Sequence, residues 1–345
     1  MSALKKASKG ALAEEALRHY FLSLGFFVSR GVKFHFQNFE ITDIDLWLYH
    51  KETTLTRDII NVDIKNKKTP QAIERIFWAK GLQRVLGFNR CIVVTTDKRP
   101  ATREFGEMHN VTILDGNFLN RLTTNYTDAH GQISEEEIIN ILDVQTYTNS
   151  TKKWSLIYEK CKRYLLDNLN FNGANIYLNV IYDSLEDFLV SSKKSEAALR
   201  ILYFALSYLI LCIDYKGRLF SSLSSDERKN NLIDGFRYGE SGRQRANEIL
   251  KTAITLAEQS TAENLFTRSL LQKEIEKELS AYPAEGLASY FSRSDILKSL
   301  FDTSKQFHSL ALAKSLKPPD LIESNLKAYI GLVVDHFKVD RKKIL

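Results

Sequence analysis

The sequence predicts an α/β domain followed by an all-α domain, and three observations carry that division. Within the first 122 residues, short runs of alternating apolar and polar side chains are interleaved with stretches of helical period. From Ser134 onward nearly every apolar residue recurs at three- and four-residue spacing. Between the two, Thr123 to Glu137 is polar and contains Asp128-Ala129-His130-Gly131, the composition of a linker. The expected domains are therefore 1–122 and 138–345, joined by residues 123–137.

Taken in order, Lys9 to Leu24 reads as an amphipathic helix stopped by Gly25. At roughly 100° per residue, Ala13, Ala16, Leu17, Tyr20, Phe21 and Leu24 form one apolar arc. Glu14 lies at the border of that arc and is the acid expected to lean into the domain. Glu15 falls on the polar side with Arg18. Short strands follow at Phe26 to Val28 and Val32 to Phe36, then two longer ones at Ile41 to Tyr49 and Ile59 to Lys65. Thr69-Pro70 opens a helix running to about Leu86. The β-branched run Cys91 to Thr96 is the mark of a strand buried on both faces. A helix from Pro100 to His109 and a strand from Val111 to Leu114 close the domain at Asp115-Gly116. Further on, Trp154 to Leu169, Glu196 to Ile213, Gln244 to Glu258, Ala262 to Leu279 and Asp320 to Phe337 have helical period. Ala198 to Ile213 is apolar around its full circumference and is expected to be a central buried helix.

The chemistry concentrates between Glu40 and Lys68. Alternation puts Ile44, Leu46 and Leu48 on one face of the first long strand and Asp43, Asp45 and Trp47 on the other. In the second, Ile60, Val62 and Ile64 oppose Asn61, Asp63 and Lys65. If the two strands pair over one core, Asp45, Asp63 and Lys65 converge on the opposite side. Two carboxylates held together repel as anions and are relieved by a divalent cation between them. The acid-x-Lys triplet alone is not specific, since Asp214-Tyr215-Lys216, Glu227-Arg228-Lys229 and Asp340-Arg341-Lys342 fit it too. Only Asp63-Ile64-Lys65 closes an apolar-alternating strand that follows another acid-bearing strand and an opening amphipathic helix.

An acid in a strand, a loop of about fifteen residues and acid-x-Lys in the next strand resemble the signature of the PD-(D/E)xK nucleases, the restriction-endonuclease-like fold. Gly10-Ala11-Leu12-Ala13-Glu14 is similar to the Gly-x-x-Ala-Glu opening of archaeal Holliday-junction resolvases within that superfamily. The strand and helix wording up to Val111-Thr112-Ile113-Leu114-Asp115-Gly116 resembles the end of Mrr-like restriction nucleases. The resemblance covers about residues 9–122. It implies a mixed central sheet flanked by helices, with Asp45, Asp63 and the Ile64 carbonyl as ligands of Mg²⁺, for which Mn²⁺ could substitute. It further implies Lys65 as the catalytic lysine, Glu14 as a further ligand or an orienter of metal-bound water, and Gln83 as an assisting glutamine. Lys67, Lys68, Arg75 and Arg84 are expected phosphate contacts. Two features depart from the family pattern: an Asp replaces the commoner Glu before Ile64-Lys65, and the second domain follows the nuclease domain where Mrr-like enzymes often carry it ahead.

The resemblance thus implies a metal-dependent DNA endonuclease of restriction or phage-defence type. Its partners would be DNA, a second copy in a homodimer and a partner subunit of a defence system. A Holliday-junction resolvase and an RNA-directed nuclease of the same fold are alternatives, as is a catalytically silent nucleic-acid-binding module. The helical domain carries no motif of its own, and recognition, sensing or oligomerisation are its expected roles.

Charge agrees with a polyanionic partner. Residues 1–122 hold 19 Lys and Arg against 13 Asp and Glu, while residues 123–345 hold 29 against 29. The whole excess of +6 therefore sits in the half with the acidic motif. Cys91, Cys161 and Cys212 stand far apart without a Cys-x-x-Cys, against a zinc ribbon or a disulfide framework. The first ten residues lack the apolar segment of a signal peptide. The longest uncharged apolar run, Ile201 to Ile213, is too short to span a bilayer, so a cytoplasmic location and no membrane partner are expected.

Overall fold

A computed structural model describes residues 9–37, 39–69, 71–126, 131–146, 153–190, 195–260, 273–275, 277–278 and 281–345, with backbone only for 256–260. The helix expected at Ala262 to Leu279 lies largely outside the described residues, as do residues 127–130 of the expected linker. The chain divides into two compact units, Met1–Asp167 with Leu312–Leu316, and Asn168–Ala311 with Lys317–Leu345. The first is α/β and the second all-α.

The first unit begins with α1 (Lys9–Ser23), β1 (Phe27–Phe36), β2 (Phe39–Lys51), β3 (Arg57–Lys65) and α2 (Ala72–Leu86). There follow β4 (Arg90–Thr95), α3 (Pro100–Met108), β5 (Thr112–Leu114), α4 (Gly116–Asn125), α5 (Glu135–Val144) and α6 (Trp154–Asp167). The five strands form one mixed sheet in sequence order, antiparallel from β1 to β3 and parallel from β3 to β5. The two short strands expected before Ile41 are one ten-residue strand. Gly31 interrupts its pattern with φ 60°, a left-handed value open to glycine, yet pairing with β2 resumes on both sides as Arg30↔Leu46 and Val32↔Ile44.

Period-two alternation gives the sheet two apolar faces. On one, Leu46, Leu48, Ile60, Val62, Ile64, Ile92 and Val94 pack with Ala13, Leu17 and Phe21 of α1 and Leu119 of α4. On the other, Cys91, Val93 and Ile113 pack with Ile76 and Ala79 of α2. Burying each such aliphatic side chain contributes about 1.5–3 kcal/mol before entropy is counted, so this pattern fixes strand register.

Asp115-Gly116, expected to end the domain, instead starts α4: the Asp115 carboxylate accepts from the N–H groups of Asn117 and Phe118. Gly116 is required by close approach, because a Cβ there would lie 2.3 Å from the Thr96 carbonyl oxygen. Gly116→Ala is expected to cost about 1–3 kcal/mol, read as a lower urea midpoint at unchanged slope. A loss within a few tenths of a kcal/mol would mean the β4–α3 turn moves freely aside.

The boundary between units falls at Asp167, not in residues 123–137. Helices α5 and α6, expected in the second domain, belong to the first. Lys162 Nζ on α6 donates to the Arg30 carbonyl at 2.8 Å and pairs with Glu135 on α5, so α6 covers the edge strand β1. The backbone of 131–133 pairs with 312–314, through Ile133 N to Leu312 O at 2.7 Å and Lys314 N to Gly131 O at 2.8 Å.

Among the described residues the second unit contains α7 (Phe171–Val190), α8 (Glu196–Phe220), α9 (Ser225–Tyr238), α10 (Gly242–Ser260), α11 (Ala284–Phe291), α12 (Ser294–Leu312) and α13 (Ser324–His336). As expected, α8 is the central helix, buried from Ala197 to Asp214 without a break. At 25 residues it exceeds the 13-residue uncharged run and is long and apolar enough to cross a membrane, but 94% of its apolar window is buried inside the structure. Two of its buried polar side chains are satisfied internally: Arg200 donates to the Ala311 carbonyl at 2.7 Å and Ser207 to the Ser304 carbonyl at 2.8 Å.

Candidate active site

The β2–β3 ladder runs from Lys51↔Arg57 to Leu46↔Val62 and stops, although both strands continue. Asp45 and Asp63 would be the next pair. Past that point the strands part, and the Asp45 carboxylate takes the place of a ladder acceptor by receiving the Ile64 N–H at 2.5 Å. A strand residue sends its N–H and C=O to the same neighbour, so the Ile64 carbonyl faces the same gap. In the β1–β2 register Gly31 falls opposite Asp45, and the nearest atom to a Cβ built there would be Lys162 Nζ at 3.9 Å.

Asp45 is half-buried, and its carboxyl is pushed up to about 6, foremost by burial. The Ile64 N–H and the Lys65 charge oppose this; the carboxylates of Glu14 and Asp43 add to it. Four residues from α1, β2 and β3 thus act on one carboxyl group. Asp63 is buried, and both its oxygens are engaged by Arg75 of α2, Nε at 2.8 Å and Nη2 in a second bond. Arg75 is in turn attracted by Asp45 and Asp43, against a burial that lowers its pKa. Glu14 accepts from Arg30 Nε at 2.8 Å, and Asn66 Nδ2 reaches the Lys9 carbonyl at 3.0 Å, which brings the start of α1 to the end of β3.

Glu14, Asp45, Asp63, Ile64 and Lys65 are therefore brought together, while other expectations need correction. Arg75 is not a free phosphate contact, because its guanidinium is committed to Asp63. Gln83 lies eight residues beyond Arg75 on α2, about 12 Å along the helix axis. Its amide accepts from Lys80 at 2.6 Å and donates to the Asn89 carbonyl at 2.8 Å, tying α2 to the start of β4 instead of assisting the carboxylates. Arg84 is exposed but nine residues from Arg75, half a turn round the helix and away from the cluster. Glu15, expected on the polar side, is more deeply buried than Glu14, because Gln132 and Glu136 cover that side of α1. Arg18 donates to Glu15 at 2.7 Å, and Arg30 reaches Glu15 at 3.3 Å and Glu136 at 2.8 Å.

Lys67 and Lys68 are exposed just past β3. An open cleft of about 410 Å³ at the carboxyl ends of β3 and β4 is lined by Lys68, Gln71, Thr96, Asp97, Lys98 and Arg99. Sequence reasoning missed Lys98 and Arg99, whose signal was their position directly after a buried parallel strand, where α/β sheets bind ligands. It also missed Asn61, fully buried on the Asp63 face with both amide atoms unpartnered among the described residues.

Among the described residues no group of three or more His, Cys, Asp or Glu side chains is arranged to hold a metal ion. The donor set itself, two carboxylates and a carbonyl oxygen, is of the oxygen kind a hard divalent cation takes, and the raised Asp45 value reports its burial first and the Glu14 and Asp43 charges only after that. Compared with known proteins, the chain matches no protein-family model, no curated protein and no solved structure.

Proposed function

We propose that the first unit is a metal-dependent DNA endonuclease of the PD-(D/E)xK kind, with its site at the splayed end of β2 and β3. The observation that carries the reading is the end of the ladder at Leu46↔Val62, with Asp45 on the Ile64 N–H and within the field of Lys65 and Glu14. Asp45, Asp63 and the Ile64 carbonyl would hold Mg²⁺ or Mn²⁺, which when bound polarises a phosphoryl oxygen and acidifies water. Lys65 offsets charge building on the phosphate and orients the attacking water. Glu14, fixed by Arg30, orients that water from the α1 side. Lys67, Lys68 and Lys98 hold the backbone of the nucleic acid and set affinity more than sequence choice. The helical unit serves recognition or assembly, and a defence role, a homodimer and a partner subunit follow from the resemblance alone.

A silent nucleic-acid-binding module is the second reading, favoured by the engagement of Asp63 with Arg75. The two separate in one assay: the purified chain with linear duplex, supercoiled plasmid, four-way junction and RNA, with and without Mg²⁺ or Mn²⁺. Metal-dependent cleavage of DNA that Lys65→Ala removes is the expected result. Binding without cleavage on all four substrates, unchanged by Asp63→Ala, would leave the binding module standing.

A further inference from the structure

We propose that Arg75 is the built-in counter-ion of the acidic cluster, that it competes with a divalent cation for Asp63, and that substrate phosphate draws it away. The inference rests on the nuclease reading above and concerns how its site is loaded. Three observations meet at this residue. Its guanidinium makes a two-pronged contact from α2 with the buried Asp63 carboxylate. It also lies in the field of Asp45 and Asp43, so it stands among the acids that a metal ion would neutralise. Finally, Trp78, one turn along α2 and 43% exposed, has its ring 5.6 Å from the guanidinium carbon. The indole face thus holds the same guanidinium by cation–π attraction while it binds Asp63.

Leaving the buried Asp63 carboxylate without a counter-charge is costly, since a buried charge must find a partner or a proton. Arg75 supplies that partner in the metal-free chain. A guanidinium fork on both Asp63 oxygens leaves each a free lone pair but sets a positive charge beside any divalent ion there, so arginine and metal weaken one another on Asp63. A guanidinium also matches a phosphate diester as well as it matches a carboxylate. Nucleic acid that captures Arg75 therefore raises metal affinity, and by linkage metal raises nucleic-acid affinity by the same factor. Arg75 acts here as a positioning residue.

The test is Mn²⁺ binding to the full chain by electron paramagnetic resonance, for wild type, Arg75→Met, Arg75→Lys and Asp45→Asn, with circular dichroism as a check of folding. Arg75→Met is expected to bind Mn²⁺ at least about tenfold more tightly than wild type. Arg75→Lys, which keeps the charge but loses the fork, should fall between them and serves if the methionine variant does not fold. Addition of a short DNA duplex should tighten Mn²⁺ binding to wild type by a larger factor than to Arg75→Met. Equal affinity in wild type and both arginine variants, with binding still lost in Asp45→Asn, overturns the counter-ion role and leaves the metal site intact. No Mn²⁺ binding by any of the four proteins overturns the metal site and this inference together.

Discussion

Asp45→Asn is expected to abolish Mg²⁺-dependent cleavage and, in the same molecule, to raise the melting temperature at neutral pH. The carboxyl of Asp45 is pushed up from the ordinary 3.8 to about 6, first by burial and then by Glu14 and Asp43. A group raised in the folded state contributes stability below its unfolded value and loses it as pH rises through its folded value. At pH 7.5 the wild-type chain therefore folds against an ionised Asp45, at a cost of about 1–3 kcal/mol. Asparagine has the same shape, still accepts the Ile64 N–H and carries no charge. Its advantage should amount to a few degrees at pH 7.5 and vanish near pH 4, where the aspartic acid is largely protonated. Cleavage should fall by at least about 10²–10³-fold, the range for loss of a charge-organising group. Thermal melts at the two pH values and initial cleavage rates check both halves. A stability gain together with lost activity is the mark of a functional site held against its own electrostatics. Unchanged melting and unchanged cleavage would remove Asp45 from the site.

The largest expected loss of stability is at Arg30. Its guanidinium is buried and holds Glu14 at 2.8 Å, Glu15 at 3.3 Å and Glu136 at 2.8 Å. Arg30→Met leaves Glu15 buried with part of its compensation gone, a change that costs about 3–5 kcal/mol. Burial alone would raise Glu15, but hydrogen bonds from His19 and Arg18 and the charges of Arg18 and Arg30 outweigh it and bring it down to about 2. A carboxylate lowered in this way stabilises the fold above its unfolded value of 4.5 and loses that contribution as pH falls from there toward 2. The wild type should thus lose stability over that interval, and Arg30→Met should lose less. Urea unfolding of Arg30→Met, Glu15→Gln and the pair gives the coupling, expected above 1 kcal/mol because the two side chains touch. A loss below about 1 kcal/mol for Arg30→Met would mean that water or Arg18 already screens Glu15.

How much of this was legible in the sequence follows from the range of the interactions involved. The alternation in β2 and β3 is local, so the faces of Leu46, Val62, Asp45 and Asp63 could be read from period two alone, and the apolar core opposite them fixed the register. The opening helix was equally plain on its apolar side as far as Phe21, whereas Leu24, expected in the same arc, lies past the helix end and is exposed. The other side of the helix was not plain, because Glu15 and Arg18 are buried by Gln132 and Glu136, more than a hundred residues away. The same holds for Arg75, which looked like a surface cation on a basic helix and is placed on Asp63 by the way α2 crosses the sheet. Gly31 hid the continuity of β1, since a glycine in a strand reads as a break until the partner strand is known.

One consequence concerns anyone who would cut this protein into pieces. The acidic motif and its strands end by Lys65, yet the side chains that neutralise Arg30 and seal β1 come from Glu135, Glu136 and Lys162, and the backbone partners of 131–133 come from 312–314. A fragment ending at residue 122 would carry every proposed ligand and still leave that flank bare. Expression of the first unit as a separate piece calls for an end point after Asp167 and a graft of residues 312–316.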